Sequence, residues 1–167
     1  LELMLASKQA MFIVWGPDRT LLYNDTYSEI LASKHPAALG SDFLNAWHEI
    51  RSDLLPIVDK AYAGEPVHMN DIQLMMMRRG FEEETHFSFS YTPVRDETGT
   101  IAGFFCACVE ITEQVLAERQ QATERDRLSR MFSQAPSFMA VLMGPDHIFD
   151  ITNAAYLQLI GHRDVLG

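Results

Sequence analysis

The sequence predicts an α+β chain: a five-stranded antiparallel sheet with helices on one face, then a linker helix, then the start of a second domain of the same kind. Three observations carry this expectation. Residues 85–92 alternate strictly, and Phe87, Phe89 and Tyr91 fall on one face of a strand. Residues 101–109 are apolar at every position, as in a strand at the middle of a sheet covered on both faces. Residues 11–40 recur at 138–167. Gly16-Pro17-Asp18 returns as Gly144-Pro145-Asp146, Asn24 and Tyr27 as Asn153 and Tyr156, and Ala38-Leu39-Gly40 as Val165-Leu166-Gly167.

Taken in order, residues 1–10 read as a short amphipathic helix. Residues 11–15 form a β-rich apolar run that stops at Gly16-Pro17-Asp18, and residues 20–23 return as a second strand. Asn24 and Asp25 are good N-caps for a helix over 26–33. Apolar residues at Ile50, Leu54, Ile57, Val58 and Ala61 recur at three and four, which predicts a helix over 47–63 that ends at Gly64-Glu65-Pro66. A strand over 67–77 and a turn at Arg78-Arg79-Gly80 lead into the alternating strand. Asp96-Glu97-Thr98-Gly99 supplies the next turn, with Gly99 free to take a positive φ. The apolar strand ends at Glu110-Ile111-Thr112, where Thr112 is placed to cap the charged helix that follows.

The hairpin with its "SYTPVRDETG" strand and "EIT" exit, and the opening "GPD…LYNDTYSEIL", resemble the PAS family of sensory domains. The resemblance implies a PAS sensor domain over 1–111, a signalling linker helix over 112–130 and a truncated second PAS domain over 131–167. It implies a non-catalytic input module, with a bacterial sensor histidine kinase as the parent. The alternatives are a dimerisation and relay module with a self-filled core and no ligand, or the input to a cyclic-dinucleotide enzyme. A chain that begins at Leu1 reads as a piece of a longer protein.

A net charge of −10 argues against nucleic acid or an anionic membrane surface as partner. The imbalance sits in residues 1–111, with 16 acidic and 8 basic side chains, whereas residues 112–130 carry four of each sign. No apolar run reaches the length of a membrane span and no signal peptide is visible, so a cytoplasmic location is expected. Cys106 and Cys108 lie at i and i+2 of one strand, with Cα atoms roughly 6.5–7 Å apart. That is at the limit of disulfide reach, and they read as buried free thiols.

No nucleophile or nucleotide-binding motif is present, so no catalytic residue is assigned. The six histidines include no i,i+4 pair and none near a cysteine, so no metal site is expected. His48-Glu49-Ile50-Arg51-Ser52 is similar to the phosphoacceptor box of histidine kinases, but Asp53 follows where that box has proline, and an ordinary helix residue is the better reading. Haem and flavin are not indicated. His48 is the one residue placed for haem ligation, and light-oxygen-voltage chemistry needs a cysteine in the helical region. Glu82-Glu83-Glu84 reads as a solvated strand entrance.

The aromatic and methionine content points to an apolar pocket between sheet and helices for a small apolar ligand. Its candidate residues are Tyr23, Asn24, Trp47, His48, Met69, Phe87, Phe89 and Tyr91. Glu110 and Thr112 are the candidate relay residues. The expected partners are a second copy, through the N-terminal or linker helix and the sheet, and a downstream kinase or other output domain in the same chain.

Overall fold

The computed structural model describes residues 2–161. The closing Val165-Leu166-Gly167 of the repeat and His162 lie outside the described residues. The chain forms two compact units, Leu1–Val115 and Leu116–Gly167.

In the first unit, helix α1 (Glu2–Ala6) precedes the hairpin β1 (Ala10–Trp15) and β2 (Thr20–Tyr23). Helices α2 (Asp25–Leu31), α3 (Phe43–Ala46) and α4 (Arg51–Tyr62) follow, then strands β3 (Val67–Met76), β4 (Glu83–Arg95) and β5 (Ile101–Glu110). The five strands form one antiparallel sheet in the order β2-β1-β5-β4-β3, which puts the apolar β5 at the centre. Gly99 turns the last hairpin with φ +86°. Gly103 allows β5 to close on β1, because a Cβ there would lie 1.9 Å from the Val14 carbonyl oxygen.

Period-two alternation builds the core. Phe12 and Val14 of β1, Leu74 and Met76 of β3, Phe87, Phe89 and Tyr91 of β4, and Phe104, Cys106 and Cys108 of β5 are all buried. The helices close over them with Tyr27, Ile30, Phe43, Leu44, Trp47, Leu54 and Val58. The opposite face of β5 is less covered than its composition predicts: Phe105 and Ala107 are half-buried and Val109 is exposed.

β4 runs three residues past the predicted stop at Thr92, through Pro93. β3 no longer lies beside β4 there, since its pairing begins at Val67 opposite Tyr91, so the missing N–H of Pro93 breaks no bond to β3. A bulge in β3 between Met69 and Ile72 shifts its register against β4.

In the second unit, helix α5 (Thr112–Gln134), which starts in the first unit, leads to the hairpin β6 (Ala140–Met143) and β7 (Ile148–Thr152) and to helix α6 (Ala154–Leu159). Asn153 caps α6 as Asn24 caps α2. Asn24 Oδ1 accepts from Met11 N and Tyr27 N, and its Nδ2 donates to the carbonyls of Met4, Ser7 and Gln9. Asn153 makes the same set with Met139 N, Tyr156 N and the carbonyls of Phe132, Ala135 and Ser137.

Candidate functional site

Two places in the first unit bear on function: a cavity in the core and the joint where β5 becomes α5.

The cavity has a volume of about 40 Å³ and lies between the sheet and α2, α3 and α4. That is room for a water molecule or two, and well below the roughly 300–1,000 Å³ of pockets that hold drug-sized ligands. Of the eight sequence candidates, Trp47, Phe87, Phe89 and Tyr91 line it. Phe12, Tyr27, Phe43, Met76, Cys106 and Cys108 also line it and were not among those candidates. The period-two parity that identifies Phe87 also points to Phe12, Cys106 and Cys108.

The other four candidates lie elsewhere. Tyr23 turns its hydroxyl to His35 Nδ1 at 2.9 Å. Asn24 is consumed by capping. His48 sits in a short 3₁₀ turn with its side chain 72 % exposed, beside Glu49 at 3.6 Å. Met69 packs at the edge of the core next to the β3 bulge.

Two phenols and two thiols are among the cavity's lining residues. Tyr27 accepts from Trp47 Nε1 at 3.0 Å, and the Tyr91 hydroxyl makes no hydrogen bond among the described residues. Burial first, and then the nearby cysteines, push both phenols well above their ordinary range. Burial also pushes the Cys106 thiol up. Both cysteines are free thiols. Among the described residues no group of three His, Cys, Asp or Glu side chains is placed to hold a metal ion.

The joint is polar and ordered around Arg78, which is 2 % exposed. Its Nε donates to Glu83 Oε1 at 3.1 Å, Nη1 to Glu110 Oε2 at 2.8 Å and to the Ile30 carbonyl at 3.3 Å, and Nη2 to Glu110 Oε1 at 2.6 Å and Glu83 Oε2 at 3.5 Å. All five guanidinium donors are therefore used, which is what a buried arginine requires. Burial alone would raise the Glu110 carboxyl; the hydrogen bonds and charge of Arg78 outweigh it and hold Glu110 below the ordinary carboxylate range. Glu83 and Glu84, expected to be solvated, are instead engaged by Arg78 and His86.

Thr112 does not cap its own helix. The first helical bond runs from Val115 N to Ile111 O, so Thr112 is already inside the first turn. Its hydroxyl accepts from His86 N at 2.9 Å and donates to Glu110 Oε1 at 3.1 Å. Ile111 N donates to His86 O at 2.8 Å. The start of α5 is thus fastened to β4 and, through Glu110 and Arg78, to the end of α2.

No curated protein matches the chain. The solved structures that resemble it include the following two. One is an RNA-binding light-oxygen-voltage receptor, with 20 % identity and TM-score 0.54 over 77 % of this chain, which spans only 36 % of that receptor. The other is the PAS domain of Bordetella pertussis BvgS, with 22 % identity and TM-score 0.53 over 75 % of this chain and 93 % of that domain. At these identities the likeness is one of fold. The family model described as PAS fold matches residues 5–116, from within α1 to just past the joint. The chain belongs to the PAS fold family.

Proposed function

We propose that this chain is the regulatory module of a signal-transduction protein, with a cytoplasmic sensor histidine kinase as the parent class. It is not itself catalytic. The state of the sheet passes to an output domain through α5. The observation that supports this reading is the joint: Thr112, in the first turn of α5, hydrogen-bonds both a strand amide and the carboxylate held by buried Arg78. A displacement of β4 against β5 therefore reaches α5 without a flexible segment between them.

The cavity of about 40 Å³ favours the relay form of this reading, in which the core is filled by its own side chains and the input is a partner or a small chemical change. Homodimerisation fits the outer face of the sheet, where exposed Leu3 of α1 borders a groove with Met11, Ile13 and Phe105. Among the described residues no helix is long and apolar enough to cross a membrane.

The test is Thr112→Val in the parent protein. It keeps the branched shape and removes both hydroxyl hydrogen bonds, at about 1–3 kcal/mol of stability. Basal and stimulated output should converge while the module stays folded. Normal switching in the variant would overturn the reading.

A further inference from the structure

We propose that the input this module reads is pH, and that the proton is held by His86. The inference rests on the joint described above, because His86 is the residue to which the start of α5 is fastened: its N–H donates to Thr112 and its carbonyl accepts from Ile111.

Strand parity puts Phe87, Phe89 and Tyr91 in the core and the His86 side chain on the opposite face of β4. The residue is nonetheless 1 % exposed. Its Nδ1 lies 2.6 Å from Asp71 Oδ1 and its Nε2 lies 2.9 Å from Glu84 Oε1. Asp71 reaches the ring from β3, at the bulge between Met69 and Ile72. Ionised carboxylates only accept hydrogen bonds, and a neutral imidazole has one N–H and one lone pair. A neutral ring between two carboxylates would satisfy one contact and turn its lone pair against an oxygen at the other. The observed geometry needs one more proton, which makes the ring an imidazolium donating to both sides. A neutral ring facing one protonated acid has the same proton count.

Other side chains of the joint lie near the ring. Gln73, opposite His86 on β3, is uncharged. The cleft beside the joint is walled by Arg78, Arg79, Glu83, Glu84, Glu110 and Glu113, with Arg78 committed to Glu83 and Glu110. The Asp71 and Glu84 side chains are 47 % and 34 % exposed, so water reaches both carboxylates. Loss of the proton therefore breaks one arm of the clamp and turns a ring lone pair against a carboxylate oxygen at a buried position, which is unfavourable. The strand segment that bears this cost also carries the two hydrogen bonds to Ile111 and Thr112. Protonation holds the joint closed and deprotonation loosens it.

The experiment is an NMR titration of the 167-residue chain from pH 5 to 9, following the ring nitrogens of His86 and the amides of Ile111, Thr112 and Glu113. Both ring nitrogens should carry protons at the acid end, and the ring and joint amides should change with one shared midpoint. Asp71→Asn and Glu84→Gln each remove an anion from the ring and should weaken its proton affinity by about tenfold or more. His86→Gln should leave the joint amides independent of pH over the range in which the ring titrates. A ring with a single N–H throughout would overturn the proposal. So would a ring that titrates while the joint amides stay still, or joint amides that titrate unchanged in His86→Gln. Thr112→Val separates this proposal from the relay reading: output insensitive to that variant defeats the relay, whereas a joint that never follows the ring defeats proton sensing alone.

Discussion

Arg78 and Glu110 meet face to face, through parallel hydrogen bonds of 2.8 Å and 2.6 Å between a guanidinium and a carboxylate 32 residues apart. The pair closes the end of the central strand against the turn between β3 and β4. Removing the arginine leaves Glu110 without its two-pronged partner and Glu83 with only the exposed Arg79 at 3.5 Å. Arg78→Leu should therefore cost about 3–5 kcal/mol, nearer the lower figure because the Glu110 side chain is 30 % exposed and can recruit water. Urea unfolding of the first unit measures this. A loss below about 1 kcal/mol would place the pair among ordinary surface ion pairs.

Acid should attack the same pair. Glu110 is held below the ordinary carboxylate range because the donors of Arg78 outweigh its burial. Glu49 is held down in the same sense: burial raises it, but its own backbone N–H, Lys34 and Met77 together prevail. A carboxyl depressed in the folded state contributes stability that is present above its unfolded value of about 4.3. That stability is lost as pH falls through the folded value. The melting temperature should accordingly drop below about pH 4, and Glu110→Gln should make the acid limb shallower. An acid limb of unchanged slope in that variant would refute the assignment.

Much of the fold is legible in the sequence because it depends on period. Phe87, Phe89 and Tyr91 alternate and are buried, Asn24 caps the helix it precedes, and Gly99 takes the positive φ its turn requires. The joint is not legible in that way. Arg78 reads locally as a turn residue, and nothing near it announces a partner at Glu110. His86 reads as the polar side of an alternating strand, and Asp71 reaches it beside a bulge that leaves no signature in composition. Thr112 has the right residue type for an N-cap, but a strand amide competes for its hydroxyl and wins. Long-range polar pairing is set by register, which sequence period alone does not fix.

The cavity gives a test of its own. Tyr91 lines it and is 2 % exposed, and its hydroxyl makes no hydrogen bond to any described residue. A hydroxyl without a protein partner contributes little to stability. Tyr91→Phe should leave the free energy of unfolding within about 0.5 kcal/mol of the parent chain, or raise it. A loss above about 1.5 kcal/mol would mean that the hydroxyl has a partner, such as an ordered water, in solution. Thermal melts of the two proteins side by side decide between these outcomes.

Asn24 and Asn153 allow one device to be tested twice in one chain. Each accepts two backbone N–H groups through Oδ1 and places Nδ2 against three carbonyls. Two amide protons serve three acceptors, so one contact in each set is shared. In the first unit the carbonyls belong to α1 and the segment after it; in the second they belong to the last turn of α5 and the segment after it. Each asparagine therefore ties an incoming helix to the hairpin that follows. Asn24→Ala removes the acceptor of Met11 N and the donor to three carbonyls, while Tyr27 N keeps its bond to the residue-24 carbonyl, and should cost about 1–3 kcal/mol. Asn24→Asp keeps the acceptor but sets a charge against the carbonyls of Met4, Ser7 and Gln9, and should be no better tolerated. Asn153→Ala should act on the second unit alone: amide exchange at Met139 and Tyr156 should accelerate, while the unfolding of the first unit is unchanged. Exchange at those two amides that is as slow as in the parent chain would show that the second asparagine is not the tie between α5 and the β6–β7 hairpin.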